Sequence, residues 1–203
     1  MTIEALHQKF IHELPGEAAQ DRMSPRPKHV EGEEGIHQGH PIHSAVMLLL
    51  VPYQSDLAIP FIKRTNVGKY HGGQMALPGG KSEPEDGNSL NTALRECKEE
   101  IGVTPKEVTV IGKLSDVYIP LSNFNITPFV GTIPNFVLSK NEVEKVIIIP
   151  LKDLLDDRNK TSQVLYRQEQ KIIAPGYKIG ENFIWGATAM IIAELEAMIK
   201  NEQ

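Results

Sequence analysis

Short apolar runs separated by turn residues fill most of the chain, and a long amphipathic segment interrupts them near its middle. The first two runs, "SAVMLLLVPY" and "LAIPFIKR", are separated only by "QSD", the pattern of two strands joined by a tight turn. Further strand candidates occupy residues 107–114, 125–133, 144–151, 162–168, 171–174 and 182–186. Because a periodic segment at 188–200 predicts a second long helix, the fold class is α/β, a sandwich with helices covering a sheet on both faces.

The length and the N-terminal pattern predict one domain spanning 1–203. A short amphipathic helix is expected at the start, where four apolar residues recur at helical spacing: Ile3, Leu6, Phe10 and Leu14. From Pro15 to Pro41 the chain is rich in proline, glycine, histidine and charge, which favours a surface connection. Residues 1–43 are therefore assigned to an N-terminal helix and its connection.

Three histidines in "HQGHPIH", namely His37, His40 and His43, are spaced by three residues. Imidazoles are common metal ligands, but no cysteine or carboxylate is arranged beside these three, and side chains on a loop rich in proline and glycine need not converge. The role of this loop is left open.

Charge and cysteine content exclude several functional classes. The chain has 21 Lys and Arg against 26 Asp and Glu, and a net charge of -5 argues against sequence-independent binding of nucleic acid. The single cysteine, Cys97, allows no intrachain disulfide and favours the cytoplasm. The longest apolar run, "AVMLLLV", is far below the roughly 20 residues that span a bilayer, and the first residues lack the apolar stretch of a signal peptide. We therefore expect no membrane partner.

The mid-chain helix is predicted to begin at Asn88 or Ser89 and to end near Gly102. Its apolar residues fall in one arc at about 100° per residue: Leu90, Ala93, Leu94, Cys97 and Ile101. Glu96, Glu99 and Glu100 fall in another arc about 120° away. Taken alone, these glutamates fit either a solvated charged face or a metal site, since like charges at such spacings cost only a few tenths of a kcal/mol.

The segment before the helix favours the metal site. Gly79 and Gly80 follow Pro78, which predicts a sharp turn that brings a carbonyl close to the helix. Carboxylate and carbonyl oxygens together suit Mg²⁺ or Mn²⁺, which keep open positions for substrate phosphates. Arg95 stands four residues before Glu99, so we expect it to pair with Glu99 and with neither of the other two glutamates.

Residues 79–103 resemble the box of the Nudix hydrolases, a glycine, five residues, a glutamate, seven residues, then R-E-apolar-x-E-E-x-G-apolar. The second half, "RECKEEIGV", matches at every fixed position. The first half departs from the pattern: counting from Gly80, the acid is Asp86, and eight residues separate it from Arg95. The resemblance implies a Nudix-type α/β/α sandwich with a mixed β-sheet.

The longer spacing is similar to that of the coenzyme A diphosphatase branch of the family. Other stretches resemble the same branch: "IKRTNVGKYHGGQMALPGG", "YIPLSNFNITPFVG", "IWGATA" and "ELPGEAAQDRMSP". In the first of these, Lys69 stands where the branch usually has arginine. The likeness covers most of the chain.

The resemblance implies roles for individual residues. It assigns the metal to Glu96, Glu99, Glu100 and the Gly79 carbonyl, and catalysis to Glu96 or Glu99. Glu142, just before a strand, is the candidate from outside the box for the catalytic base or an extra metal ligand, and a solvated loop acid is the equal alternative. Substrate binding falls to Arg64, Lys69, His71, Gln74 and Lys81, and Gly80, Asp86, Arg95 and Gly102 brace the box. Cys97 is expected to be a small core residue.

Three functions follow from the resemblance. The leading one is hydrolysis of coenzyme A or acyl-CoA to 3′,5′-ADP and a 4′-phosphopantetheine product. The second is hydrolysis of another nucleoside diphosphate derivative, such as a damaged nucleoside triphosphate, ADP-ribose or a dinucleotide. The third is ligand binding without reaction. Because members of the family are often dimers, a homodimer is also expected.

Overall fold

The structure is a computed structural model, and it describes residues 3–26, 39–63, 74–136, 146–167 and 170–200. Eight strands of this part form the larger sheet: β1 Ile42–Tyr53, β2 Asp56–Lys63, β3 Met75–Ala76, β4 Gly79–Lys81, β5 Thr109–Lys113, β6 Val117–Ile119, β7 Phe124–Thr132 and β8 Val146–Pro150. A second sheet joins β9 Lys160–Arg167, β10 Gln170–Ile179 and β11 Asn182–Trp185. The five helices of the described residues are α1 Ile3–Lys9, α2 Gly16–Gln20, α3 Ser89–Ile101, α4 Leu151–Leu154 and α5 Ala187–Lys200.

Strand β1 is the axis of the larger sheet. It pairs in parallel with β7, from Ile42 opposite Phe124 to Leu50 opposite Thr132. On its other side it pairs antiparallel with β4 near its start and with β2 near its end. The sheet is therefore mixed, as predicted, and the hairpin of β1 and β2 turns at Gln54 and Ser55, where "QSD" was expected to place it.

The continuous apolar run in β1 is explained by burial on both sides of the sheet. Alternate residues such as Met47 and Leu49 pack with Ala93 and Cys97 of α3, whereas Leu48 and Leu50 pack in the core that contains α5. Side chains alternate between the two faces of a strand. Helices thus cover both faces, which confirms the α/β sandwich.

The boundaries of α3 agree with the sequence prediction. The Asn88 side chain accepts a hydrogen bond from the Asn91 amide, which caps the helix, and Gly102 ends it in the left-handed region at φ 74°. The predicted apolar arc faces the sheet: Ala93, Cys97 and Ile101 are buried, and Leu90 and Leu94 pack against the same core.

The N-terminal segment departs from its prediction after the first helix. Leu6 of α1 is buried as expected. The prediction of a surface connection from Pro15 onward is wrong for residues 16–26, because α2 packs on α5 and the side chains of Ala19, Gln20 and Met23 are buried. Composition concealed this short helix, whose contacts lie about 175 residues away in sequence.

Three of the short strands, β3, β4 and β6, were not predicted, since none is long enough to show a periodic pattern. Helix α5 is buried on all sides from Ala189 to Met198 because the larger sheet, α2 and the smaller sheet enclose it. None of the helices within the described ranges combines the length and the apolar character required to cross a bilayer.

Candidate active site on helix α3

The glutamates of α3 lie over strand β4. Glu100 Oε2 accepts a hydrogen bond of 2.8 Å from the Gly79 amide. The Glu96 carboxylate lies directly over Gly80, so that a Cβ added at Gly80 would overlap it. Glu99 is more open, with a side chain that is 57% exposed. The helix therefore presents two carboxylates to the strand and a third to solvent.

Gly79 and Gly80 do not form the sharp turn that we predicted. Both residues belong to β4, with Gly79 opposite Val46 and Gly80 opposite Ala45. Glycine is needed at Gly80 because the Glu96 carboxylate approaches the backbone there. The Gly-Gly sequence alone does not show whether glycine is required for such close packing or for a turn.

The same pairing directs the Gly79 peptide toward the helix. Hydrogen bonds join Met47 to Pro78 at 2.8 Å and His43 to Ser82 at 3.0 Å. Because pairs in an antiparallel ladder alternate between bonded and non-bonded, the Val46–Gly79 pair is a non-bonded one. The Gly79 amide and carbonyl thus both point away from β1, on the side where Glu100 lies.

Arg95 connects the box to its own helix and to the preceding loop. Its Nε is 2.9 Å from Asp86 Oδ1, and its Nη2 donates to the Lys81 carbonyl at 3.0 Å. Its Nη1 contacts Glu96 at 3.0 Å and Glu99 at 3.3 Å. The prediction that Arg95 pairs with Glu99 is confirmed, but the expectation that it would not reach Glu96 is wrong, since Nη1 alone contacts both carboxylates.

Asp86 is the buried partner in this network, with 8% of its surface exposed. It accepts hydrogen bonds from Arg95, from the Thr92 hydroxyl at 2.8 Å and from the Glu83 amide at 2.9 Å. The bonds to the Arg95 guanidinium, followed by the backbone bond at Glu83, hold the pKa of the Asp86 carboxyl well below its usual range. The box therefore still forms an aspartate–arginine pair despite its longer spacing.

The oxygen atoms around Gly79 and the three glutamates are of the kind that a divalent cation takes as ligands. Within the described ranges, no three side chains of His, Cys, Asp or Glu gather into a metal-holding group. Arg95 and the Gly79 amide instead draw the three glutamates to separate hydrogen bonds. The chemistry nevertheless fits a hard cation, because the Glu96 and Glu100 carboxylates and the Gly79 carbonyl lie together beside β4. Glu96, Glu99, Glu100 and the Gly79 carbonyl could hold it.

The structure places Cys97 in the core between α3 and the sheet. Burial, with the charges of Glu100 and Glu96 adding to it, raises the pKa of this thiol far above its ordinary value. The thiol therefore stays protonated and uncharged, which agrees with the prediction that Cys97 is a small core residue.

The predicted substrate-binding residues are only partly within the described ranges. Arg64, Lys69, His71, Glu142 and His37 lie outside them. Gln74 directly precedes β3 and is half-buried. The Lys81 side chain leaves β4 on the face opposite Gly80 and places its Nζ 5.5 Å from the centre of the Phe124 ring, so the structure does not bring this ammonium to the glutamates.

Two contributions to the site were missed from the sequence. The Gly79 amide binds Glu100, and the buried Thr92 hydroxyl binds Asp86. The position of Thr92, one helical turn before Glu96, is the sequence signal that could have indicated the second contact. A backbone amide carries no such signal.

Comparison with known proteins identifies the family. The NUDIX domain profile matches residues 41–168, more than half of the chain. The chain therefore belongs to the Nudix family, and it is a Nudix hydrolase, an enzyme that acts on phosphorus-containing acid anhydrides. Proteins of this family generally use divalent ions such as Mg²⁺ or Mn²⁺.

Relatives and solved structures agree with this assignment. The chain is 31% identical over 160 residues to the uncharacterized Nudix hydrolase NudL of Yersinia pestis, an alignment that covers 76% of this chain and 79% of the relative. It resembles in fold a MutT/nudix family protein from Enterococcus faecalis, with a TM-score of 0.51 at 16% identity over 98% of this chain and 70% of the other. The Nudix hydrolase RenU from M. smegmatis gives a TM-score of 0.50 at 14% identity over 80% of this chain and 87% of the other.

Proposed function

We propose that this enzyme hydrolyses the diphosphate bond of coenzyme A or acyl-CoA to 3′,5′-ADP and the corresponding 4′-phosphopantetheine. The observation that carries the proposal is the closed Asp86–Arg95 pair, 2.9 Å between Oδ1 and Nε, in a box one residue longer than the general pattern. This lengthened box is the feature that resembles the coenzyme A diphosphatase branch. The stretches at 62–80, 118–131 and 184–189 support the same branch.

The proposed metal is Mg²⁺ or Mn²⁺, held by Glu96, Glu99, Glu100 and the Gly79 carbonyl. When bound, such a cation neutralises the charge of the diphosphate and lowers the pKa of a coordinated water. A protein that binds a ligand without reaction has no need of a metal-binding cluster of three carboxylates, which argues against that alternative.

The residues of the chain would position the metal ligands and provide the base for proton transfer. The Gly79 amide fixes the Glu100 carboxylate against β4, and the Arg95 fork orients Glu96 and Glu99. Because Gly80 has no side chain, the Glu96 carboxylate can lie against the backbone of β4. Glu99 is the candidate base that is open to solvent, and Glu96 and Glu142 remain the alternatives for removing a proton from the attacking water.

The proposed anion-binding residues are Arg64, Lys69, His71, Gln74 and Lys81. Arginine and lysine suit a substrate that carries a 3′-phosphate besides its diphosphate. We further propose that the enzyme works in the reducing cytoplasm, in keeping with a buried and solitary Cys97, and that it forms a homodimer.

The test is turnover of coenzyme A against dephospho-coenzyme A, at fixed Mg²⁺, with the products identified by mass spectrometry. We expect coenzyme A to be cleaved to 3′,5′-ADP with a clearly higher kcat/KM. Equal turnover of both would contradict a pocket for the 3′-phosphate. Faster hydrolysis of ADP-ribose, a dinucleotide or an oxidised nucleoside triphosphate in the same panel would replace the proposal with another Nudix substrate. Failure to hydrolyse any diphosphate would favour a ligand-binding role.

A further inference from the structure

A polar cavity of about 420 Å³ lies at the N-terminal end of α3, apart from the three glutamates. The loop 82–88 and the first turn of α3 form one side of it. The starts of β1 and β7 form the other side, where His43, Asn125 and Thr127 share the sheet face of Ala45. Each of these residues lies within the described part of the chain.

Thr127 is the unusual member of the cavity wall. Only 8% of its surface is exposed, and no residue of the described ranges makes a hydrogen bond with its hydroxyl. Buried polar groups in folded proteins nearly always have a partner, and an exception requires an explanation. A ligand group that donates to or accepts from this hydroxyl would provide one.

The charges of the cavity select the kind of ligand. Carboxylates of Glu83, Asp86 and Asp116 line it. Asp86 binds Arg95, and Asp116 binds Lys113 at 3.0 Å, so the acids are partly balanced without an excess of positive charge. A phosphate would be repelled here, whereas amides and hydroxyls can bond to the hydroxyl and amide side chains of Thr127 and Asn125.

The cavity lies next to the box. Asp86 belongs both to the cavity wall and to the Arg95 network. Thr92, another wall residue, precedes Glu96 by one helical turn, which is about 6 Å along the axis. A flexible group attached to the diphosphate can therefore extend from the glutamates into the cavity.

We infer that this cavity binds the uncharged, amide- and hydroxyl-bearing arm of the substrate, with Thr127 as a specificity-determining residue. The inference rests on the proposed function, in which that arm is pantetheine. Of the two halves of coenzyme A, the nucleotide carries the 3′-phosphate and the pantetheine carries no charge, so the acidic wall admits only the second.

The test compares Thr127→Val, Thr127→Ser and Thr132→Val with the unmodified enzyme. The valine variant removes the hydroxyl with little change of shape, and we expect the KM for coenzyme A to rise about five-fold while kcat changes less, as for the loss of one hydrogen bond. The serine variant retains the hydroxyl and should restore the KM. Thr132 is on the same strand and donates to the Leu50 carbonyl at 2.8 Å, so its valine variant should lose stability but keep the KM.

A second measurement separates this inference from the proposed function. Pantetheine, added to the enzyme and followed by calorimetry, should bind to the unmodified chain and more weakly to Thr127→Val. If the enzyme cleaves coenzyme A but neither the KM nor pantetheine binding depends on Thr127, the cavity inference is overturned and the proposed function stands. If coenzyme A is not cleaved, the proposed function fails. Binding of pantetheine that depends on Thr127 would then still support the cavity as a binding site, and no such binding would overturn it.

Discussion

Helices α3 and α5 carry glutamates on opposite faces of the same sheet, yet the surroundings of those glutamates differ. On α5, Glu194 and Glu196 are buried. On α3, Glu99 is more than half exposed, and Glu96 and Glu100 lie at the edge of β4. The two helices thus place the same side chain in two different environments.

The partners of these carboxylates explain the difference. Glu194 accepts hydrogen bonds from the Gly16 amide at 3.2 Å, the Gln20 side chain at 2.9 Å and the Ser115 amide at 3.2 Å. Glu196 contacts Lys160 at 2.7 Å and Lys200 at 2.6 Å. On α3, by contrast, one guanidinium serves Asp86, Glu96 and Glu99 together.

We infer from the comparison that the ratio of acids to donors, more than the number of acids, separates a carboxylate with a structural role from one available to a ligand. The α5 carboxylates each have two or more donors, although Lys160 and Lys200 also contact Asp157, and they hold α2, the loop at Ser115 and β9 to the helix. Within the described ranges, Asp86, Glu96 and Glu99 share one guanidinium, so we expect this helix to attract a cation. Four experiments test this distinction.

The largest effect is expected for Glu100→Gln. The glutamine oxygen can still accept from the Gly79 amide, so the fold should survive, whereas the lost charge weakens the proposed cation site. We expect kcat/KM to fall by about a hundred-fold, since a metal supplies several kcal/mol of transition-state stabilisation. The measurement is steady-state hydrolysis with Mg²⁺ titrated to saturation, with folding checked by thermal melt.

The matched control is Glu85→Gln, an exposed acid in the loop before α3. Its activity should stay within about two-fold of the unmodified enzyme, as for most surface substitutions. A folded Glu100→Gln enzyme with near-normal activity would contradict the proposal that α3 holds the cation. The proposed difference in role between the glutamates of α3 and α5 would then have no support.

Next in size is Glu194→Gln, which tests the structural side of the comparison. The amide group must face one of the backbone or side-chain donors that now bind the carboxylate, so we expect a loss of about 2 kcal/mol in the free energy of unfolding. Urea denaturation measures this loss. The kcat/KM of the folded variant should be unchanged within about two-fold; a selective loss of kcat/KM would show that α5 also contributes to catalysis.

The next prediction concerns Asp86→Asn. Asp86 is buried like the α5 glutamates but belongs to the box, like the glutamates of α3. We expect a loss of about 1.5 kcal/mol at pH 7, because the charged hydrogen bonds to Arg95 are weakened. The folded pKa of Asp86 is depressed, so its contribution is complete above the unfolded pKa of about 3.9 and is lost as pH falls below it. The difference from the unmodified protein in urea midpoint should therefore be constant above about pH 5 and shrink below about pH 4. A difference that grows on acidification would contradict the assigned charge state.

The smallest effect is expected for Lys200→Met. Lys160 would still pair with Glu196 at 2.7 Å, so the free energy of unfolding should fall by only about 0.5 kcal/mol. Replacing both lysines by methionine leaves a buried carboxylate without a cation, and we expect that loss to exceed the sum of the two single losses. Thermal and urea denaturation of the three variants test this; additive losses would show that neither lysine compensates for the loss of the other.

Much of the fold was predictable because it follows local patterns. The β1–β2 hairpin, the strands from Thr109 to Trp185 that show apolar runs, and the ends of α3 agree with their predictions. The packing of α2 on α5 was not predictable, because the contact of Gln20 with Glu194 joins residues far apart in sequence and neither shows an apolar pattern that would predict it.

The candidate site was predictable to the level of residue type. Helical spacing placed Glu96, Glu99 and Glu100 on one face, but it could not show that the fork of Arg95 reaches Glu96 as well as Glu99. Nor could it distinguish glycines in a turn from glycines in a strand, because both positions require the absence of a side chain. These outcomes depend on tertiary distances.

The parallel pairing of β1 with β7 has a consequence for the order in which the enzyme assembles. Ile42 and Phe124 are opposite one another, and the whole box lies in the chain between them. During synthesis, α3 can form its own turns early, but β1 cannot complete its hydrogen bonds on that side until residue 132 has left the ribosome. The scaffold beneath the glutamates therefore closes only after the whole box has been synthesised, and closure of this long loop is expected to be slower than formation of the helix.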